Sequence, residues 1–150
     1  ETFTEPVMED VLDKYEVDAN DIVILLQPTS PIRSKSTIDK FINALENEKC
    51  DSALTLTNYH GFHWKDDGEF KLPLYKNRPR RQDMEKTYAE TGSMYGTRYN
   101  HFLKSKNRIS GKIKGIEVSF EESLEVDTPE EFKVIETYFK KAIIEWEGDF

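Results

Sequence analysis

The sequence is poor in cysteine, in cationic side chains and in long apolar runs, and each shortage excludes a class of protein. Its one cysteine, Cys50, cannot form an intrachain disulfide, so we expect a cytoplasmic protein. The 29 acidic side chains outnumber the 21 lysines and arginines, and this balance argues against a nucleic-acid partner. The longest strongly apolar stretch, residues 22–26, is too short to cross a membrane, so we expect no membrane partner either.

Glycine and the common catalytic motifs are also scarce. The seven glycines are scattered, and none follows an N-terminal strand as in a phosphate-binding loop. The sequence contains no G-x-S-x-G, C-x-x-C or H-E-x-x-H motif. His60, His63 and Cys50 lack the paired spacing that is typical of zinc ligands, so we reject a zinc site formed by them.

The periodic segments alternate between strands and helices, which predicts an α/β layered fold with a mainly parallel sheet. The 150 residues fit one domain, 1–150. Ser36 is the predicted cap of the second helix, and Thr128 that of the last one. The run at 22–26 is rich in β-branched residues, which favours a strand buried on both faces. The predicted helices are 5–15, 37–48, 100–106 and 129–146, and the predicted strands are 22–26, 52–57, 91–98 and 116–119.

Residues 58–84 form an excursion from this core, in which aromatic and charged side chains alternate. Asp67 and Gly68 are typical of a tight turn, so the flanking segments 62–64 and 69–71 predict a β-hairpin. A lone hairpin cannot bury an apolar face by itself. We therefore expect the excursion to form a homodimer contact, and the competing interpretation is that it folds back over its own sheet.

The segment 25–33, LLQPTSPIR, carries the strongest local pattern. It places a polar loop at the carboxyl end of a predicted strand, where open α/β sheets bind ligands. Gln27 can donate and accept hydrogen bonds, and Arg33 is a planar cation suited to carboxylate or phosphate. A rigid turn that caps the next helix explains the same pattern, so the spacing alone leaves both interpretations open.

Four segments in order resemble the acylneuraminate cytidylyltransferases, the synthetases of CMP-sialic, CMP-legionaminic and CMP-pseudaminic acids. Segment 25–33 resembles the signature LLQPTSPLR of that family. RRQD at 80–83, YAETGSMY at 88–95 and LEVDTPEE at 124–131 resemble its later motifs, and the resemblance extends to about Phe139. The resemblance implies a Rossmann-like nucleotide-diphospho-sugar transferase fold, of which this chain is a part.

The resemblance also implies a reaction and its residues. In that family the anomeric hydroxyl of an acidic nine-carbon sugar attacks the α-phosphate of CTP, which gives a CMP-sugar and pyrophosphate with Mg2+ as cofactor. Asp127 matches the catalytic, metal-binding carboxylate, and Glu125 is at the position of a second metal-binding Asp. Thr91 replaces an Asn of the family. The implied substrate-binding residues are Gln27, Arg33, Arg81, Gln82, Thr91 and Tyr95.

One family segment has no counterpart in this sequence. The family opens with a loop of the type ARGGSKGIPRKN around the CTP phosphates, and with an early strand that carries a metal-binding Asp. Because these parts are lacking, we expect the chain alone to be inactive. It begins at Glu1 rather than at Met, so we expect a processed, truncated or excised product. Its predicted role is the sugar-binding and dimerising portion of the enzyme. The alternative is a non-catalytic assembly module that pairs with a separate nucleotide-binding partner.

Overall fold

A four-stranded sheet forms the centre of the computed structural model, which describes residues 3–147 of the backbone and residues 3–140 of the side chains. The helices are α1 (Thr4–Leu12), α2 (Lys35–Asn47), α3 (Tyr99–Ser105) and α4 (Pro129–Glu147). The strands are β1 (Ile22–Leu26), β2 (Ser52–Tyr59), β3 (Trp64–Asp66), β4 (Lys71–Pro73), β5 (Thr87–Arg98) and β6 (Ile113–Glu117). No helix among these residues is long and apolar enough to cross a membrane.

The strand order of the sheet is β1-β5-β2-β6. β5 runs antiparallel to both of its neighbours, whereas β2 and β6 are parallel. The other three strands therefore share one direction, and the predicted α/β class is confirmed, with a mixed sheet that contains the parallel pair β2 and β6. The sequence did not indicate that β5 lies between β1 and β2, and this placement makes their pairings antiparallel.

The core lies between α2 and the sheet. Phe41 and Leu45 of α2 are fully buried against Gly96 of β5, where an added Cβ would lie 2.6 Å from each side chain. The missing side chain on Gly96 thus allows the helix to approach the sheet closely. α2 begins two residues earlier than predicted, because Ser34 rather than Ser36 caps it and accepts the Thr37 N–H at 3.1 Å.

β1 is one of the two edge strands of the sheet, and its side chains are only partly buried. The expectation of a strand buried on both faces is therefore wrong for this structure. An open apolar groove of about 260 Å³ lies between α1 and β1. A second groove of about 450 Å³ lies between α4 and the loop that follows β1. Leu26, at the end of the strand, is 49% exposed.

The predicted hairpin of the excursion is confirmed, with its strands two residues further along the chain than expected. β3 and β4 pair in antiparallel register with Trp64 opposite Pro73. The ring of Tyr75 packs edge-on against Phe62 and Trp64, at centroid distances of 5.5 and 6.1 Å. Even so, the hairpin region keeps large apolar side chains in solvent, namely Trp64, Phe70 and Leu74.

Candidate functional site

A wide bulge in β5 forms one wall of the candidate site. Leu54 pairs with Tyr95 and Leu56 with Glu90, so Thr55 alone stands opposite residues 91–94. Within this bulge Gly92 has a positive φ of 65°, a conformation that glycine adopts without strain. The bulge therefore turns the backbone of residues 91–93 out of the strand ladder, at the level where β1 ends.

The Thr91 side chain is directed into the core rather than into the site. Its Oγ1 lies 2.7 Å from the Oγ1 of Thr55, and the residue is only 2% exposed. The backbone carbonyl of Thr91 accepts a hydrogen bond from the Ser30 hydroxyl at 3.4 Å. Thr91 thus contacts the loop after β1 through its main chain.

The loop that follows β1 is tied to the bulge by hydrogen bonds. The Gln27 N–H donates to the Ser93 carbonyl at 3.2 Å. Arg33 Nη2 donates to the same carbonyl at 3.3 Å and also to the carbonyl of Gln27. Its Nε is buried with no partner among the described residues, and burial lowers the pKa of the guanidinium. The structure thus gives Arg33 a role in holding the loop.

Glu125 completes this cluster from the other end of the chain. The Val126 N–H donates to the Thr29 carbonyl at 2.8 Å, which holds the segment beside the loop. Glu125 Oε1 lies 3.4 Å from the Ser30 hydroxyl, which shares its one proton between the Thr91 carbonyl and this oxygen. An added Cβ on Gly92 would lie 1.9 Å from that same oxygen and 3.4 Å from Oε1 of Gln27. Gln27, the Thr91–Gly92 backbone and Glu125 are thus brought together.

Burial, followed by the charge of Asp127, raises the pKa of Glu125. Asp127 itself is exposed, one residue before the cap of α4. This cap is confirmed as Thr128, whose N–H and hydroxyl bond to Glu131 at 2.8 and 3.0 Å. Glu125 and Asp127 are carboxylate ligands of the kind that Mg2+ uses, one or two at a time with water. In residues 3–140, no three acidic, histidine or cysteine side chains form a metal cluster.

The remaining predicted residues lie elsewhere. Arg81 and Gln82 are exposed in a short 3-10 turn of the excursion, where the Arg81 carbonyl lies 2.8 Å from Nε2 of His60. Tyr95 is 5% exposed, and its ring carries the guanidinium of Arg108 at 4.6 Å. Burial raises the pKa of this tyrosine. The structure therefore places Tyr95 in packed surroundings and leaves Arg81 and Gln82 open to solvent.

Thr55 and Ser30 are the polar contacts of the site that sequence reasoning missed. Ser30 is fully buried, and it lies inside the segment that had been singled out for Gln27 and Arg33. Thr55 gave no signal, because a threonine in an apolar strand is typical of any sheet. Its position opposite the bulge of β5 is visible only in the paired strands.

Comparisons with known proteins give a relative in sequence and a neighbour in fold. No protein-family model matches the chain. The sequence is 27% identical over 138 residues to an N-acylneuraminate cytidylyltransferase of Streptococcus agalactiae serotype V. That alignment covers 84% of this chain and 32% of the relative, so the chain spans about a third of that protein's length.

The fold is similar to that of a solved 4-diphosphocytidyl-2C-methyl-D-erythritol synthase from Anaerococcus prevotii. The TM-score is 0.64 at 17% identity, over 93% of this chain and 68% of that one. This likeness concerns the fold alone. The relationship to a cytidylyltransferase rests on the sequence comparison. The chain thus has a nucleotidyltransferase-like fold, and its sequence is related to that of a cytidylyltransferase and resembles the acylneuraminate family.

Proposed function

We propose that this chain is the sugar-binding and dimerising portion of a cytidylyltransferase. That enzyme forms a CMP-sugar and pyrophosphate from CTP and a sialic-acid-like nonulosonic acid. One observation carries the proposal: Gln27, the backbone at Gly92 and Glu125 converge at the carboxyl end of β1. Ligands of open α/β sheets bind at this end of the strands, and an amide beside backbone groups can bind a polyhydroxylated sugar.

In this proposal Glu125 and Asp127 would hold Mg2+, which would supply positive charge to offset the negative charge of a bound phosphate. Their mutual repulsion, which contributes to the raised pKa of Glu125, is the electrostatic situation that a divalent cation would relieve. Asp127 is exposed and open to a ligand, whereas Glu125 is partly buried against Gly92. Asp127 is therefore the residue that we assign to catalysis.

In the same proposal the excursion supplies the side chains that bind the carboxylate of the sugar acid, and it also forms the dimer contact. Arg81 is exposed, so its guanidinium is free to bind a sugar carboxylate through two parallel hydrogen bonds. The hairpin beside it leaves Trp64 and Phe70 53% and 61% exposed, and aromatic side chains are enriched in interface cores. A second copy of the chain, bound through this surface, would cover them.

The proposal is tested by titrating the chain with N-acetylneuraminic acid and, separately, with CTP. We expect amide shifts at Gln27 and Gly92 with the sugar acid, and none with glucose, a neutral control. Gln27→Ala should weaken binding, because it removes the side-chain amide and keeps the three backbone hydrogen bonds of the residue. When CTP, the sugar acid and Mg2+ are combined, we expect no pyrophosphate from the chain alone. Absence of sugar binding would contradict the proposed function.

A specific feature also favours the second function, a non-catalytic assembly module. Among the residues that the structure describes, β1 has a sheet partner on one side only, and it lines an apolar groove together with α1. An open strand edge beside apolar surface is suited to the addition of a strand from another polypeptide. The titration separates the two functions, since an assembly module would bind neither the sugar acid nor CTP.

A further inference from the structure

The register break between β2 and β5 is stabilised by two buried hydroxyl groups. Thr55 and Thr91 are each 2% exposed, and their Oγ1 atoms lie 2.7 Å apart. The Met94 N–H, which faces no ladder partner on β2, donates to Thr55 Oγ1 at 3.1 Å. The two side chains thus replace the backbone hydrogen bonds that the bulge interrupts.

The two hydroxyls also bond to each other across the break in the ladder. Their oxygens lie 2.7 Å apart, and either one can be the donor. Thr91 Oγ1 also lies 3.3 Å from the Thr55 carbonyl, and Thr55 Oγ1 lies 3.5 Å from the Met94 carbonyl. Thr55 therefore bonds to both sides of the bulge, to Thr91 through the hydroxyl contact and to Met94 by accepting its N–H.

The bulge that Thr55 holds is the same one that contacts the site loop. The Thr91 carbonyl accepts from Ser30, and the Ser93 carbonyl accepts from Gln27 and Arg33. Between these two carbonyls lies Gly92, against the carboxylate of Glu125. A shift of residues 91–94 would consequently move the backbone groups that face Gln27 and Glu125.

We infer that Thr55 is a positioning residue: its hydroxyl holds the bulge of β5 so that the Gly92 backbone stays against Gln27 and Glu125. This inference rests on the proposed function in so far as it concerns sugar binding. The statement that Thr55 holds the bulge does not depend on the proposed function. The stability of the bulge and the binding of the sugar can be measured separately on the same variants of the full chain.

The first measurement is amide hydrogen exchange in Thr55→Val, which has nearly the same shape and no hydroxyl. We expect exchange at Met94 to accelerate about ten- to a hundredfold, because its N–H loses a buried acceptor. Thr55→Ser, which keeps the hydroxyl, should exchange like the wild type. Thr57→Val is the matched control, since it removes a hydroxyl two residues along the same strand. Unchanged exchange at Met94 in Thr55→Val would overturn the inference.

The second measurement is binding of N-acetylneuraminic acid to the same variants. Thr55→Val should weaken it about tenfold, and Thr55→Ser and Thr57→Val should leave it near the wild-type value. Equal binding by wild type and Thr55→Val, despite faster exchange at Met94, would overturn the positioning role. If the wild type itself binds no sugar acid, the proposed function fails, and the exchange experiment alone decides whether Thr55 holds the bulge.

Thr91→Val provides a second route if Thr55→Val does not fold. This change removes the β5 hydroxyl that contacts Thr55, and it leaves the bond between the Met94 N–H and Thr55 in place. We expect faster exchange at Ser93, whose N–H lies 3.4 Å from Thr91 Oγ1, with Met94 still protected. Loss of protection at both amides, or at neither, would contradict the division of roles in which Thr55 holds Met94 and Thr91 holds Ser93.

Discussion

Oε1 of Glu125 lies 1.9 Å from the point that a Cβ on Gly92 would occupy. A carboxylate of the closing segment is thus packed directly against the backbone of the β5 bulge, and only glycine leaves room for it. The positive φ of 65° at Gly92 adds a second requirement for glycine at this position. This contact joins two segments that sequence reasoning had assigned to separate roles, one to the sugar and one to the metal.

Replacing Gly92 by alanine should therefore destabilise the chain through a clash as well as through backbone strain. Strain at a positive φ costs about 1–2 kcal/mol, and displacing Glu125 should add about 1–3 kcal/mol. Urea unfolding measures the sum. Gly68→Ala is the control for strain alone, because its φ is 86° and an added Cβ there meets nothing within 4 Å.

The double variant Gly92→Ala, Glu125→Ala should recover part of the loss, since the carboxylate that clashes is gone. Equal destabilisation by Gly92→Ala and by the double variant would show that the contact with Glu125 contributes nothing.

The raised pKa of Glu125 predicts a definite pH dependence of stability in metal-free buffer. The folded chain holds the Glu125 proton to higher pH than the unfolded chain, whose carboxyl titrates near its ordinary 4.5. The stabilising contribution is therefore complete below that value and is lost as pH rises through the folded pKa. Glu125→Gln should remove this loss. The unfolding free energy of the variant, relative to that of the wild type, should therefore increase as the pH rises.

Urea unfolding across that pH range, with Glu130→Gln as a control for one lost negative charge, checks this expectation. If the wild type and Glu125→Gln followed parallel curves, Glu125 would not be the responsible group.

Arg81→Ala should weaken binding of N-acetylneuraminic acid and leave binding of CTP unchanged. Loss of a charge-assisted hydrogen-bond partner costs about 1.5–3 kcal/mol, or about ten- to a hundredfold in affinity. Calorimetric titration of each ligand gives both constants. Lys76→Ala, another exposed cation of the excursion, should retain the wild-type affinity for the sugar. A loss confined to CTP would reverse the assignment of Arg81.

The wild-type chain should be a homodimer that a double change, Phe70→Asp with Leu74→Asp, converts to a monomer. These two side chains are 61% and 63% exposed, and they lie outside the ring cluster that holds the hairpin together. Charges placed there should disrupt an apolar interface without disrupting the hairpin. Light scattering over a range of concentrations gives the mass of each species.

Phe120→Asp is the matched control for the dimer, because Phe120 is 70% exposed and lies outside the excursion. It should leave the dimer intact. A wild type that stays monomeric would refute the dimer, and a double variant that stays dimeric would place the interface elsewhere.

Part of the candidate site could be predicted and part could not. Gln27 and Glu125 were both selected from the sequence, and they meet beside Gly92. Arg33 and Thr91 were selected as well, but within the fold Arg33 bonds to two backbone carbonyls and Thr91 to a buried hydroxyl. A motif indicates which residues belong together, whereas the direction of a side chain depends on the partners that the fold offers it.

The sequence by itself determined the local elements of this protein. The position of β1, the cap of α4 and the presence of a hairpin around Asp67 and Gly68 were predicted, because each depends on residues within a few positions of one another. Only the tertiary structure decided that β5 lies between β1 and β2, and that Thr55 holds a bulge 36 positions away. Such pairings arise from competition among distant strands for the same core, and no local period in the sequence encodes the outcome.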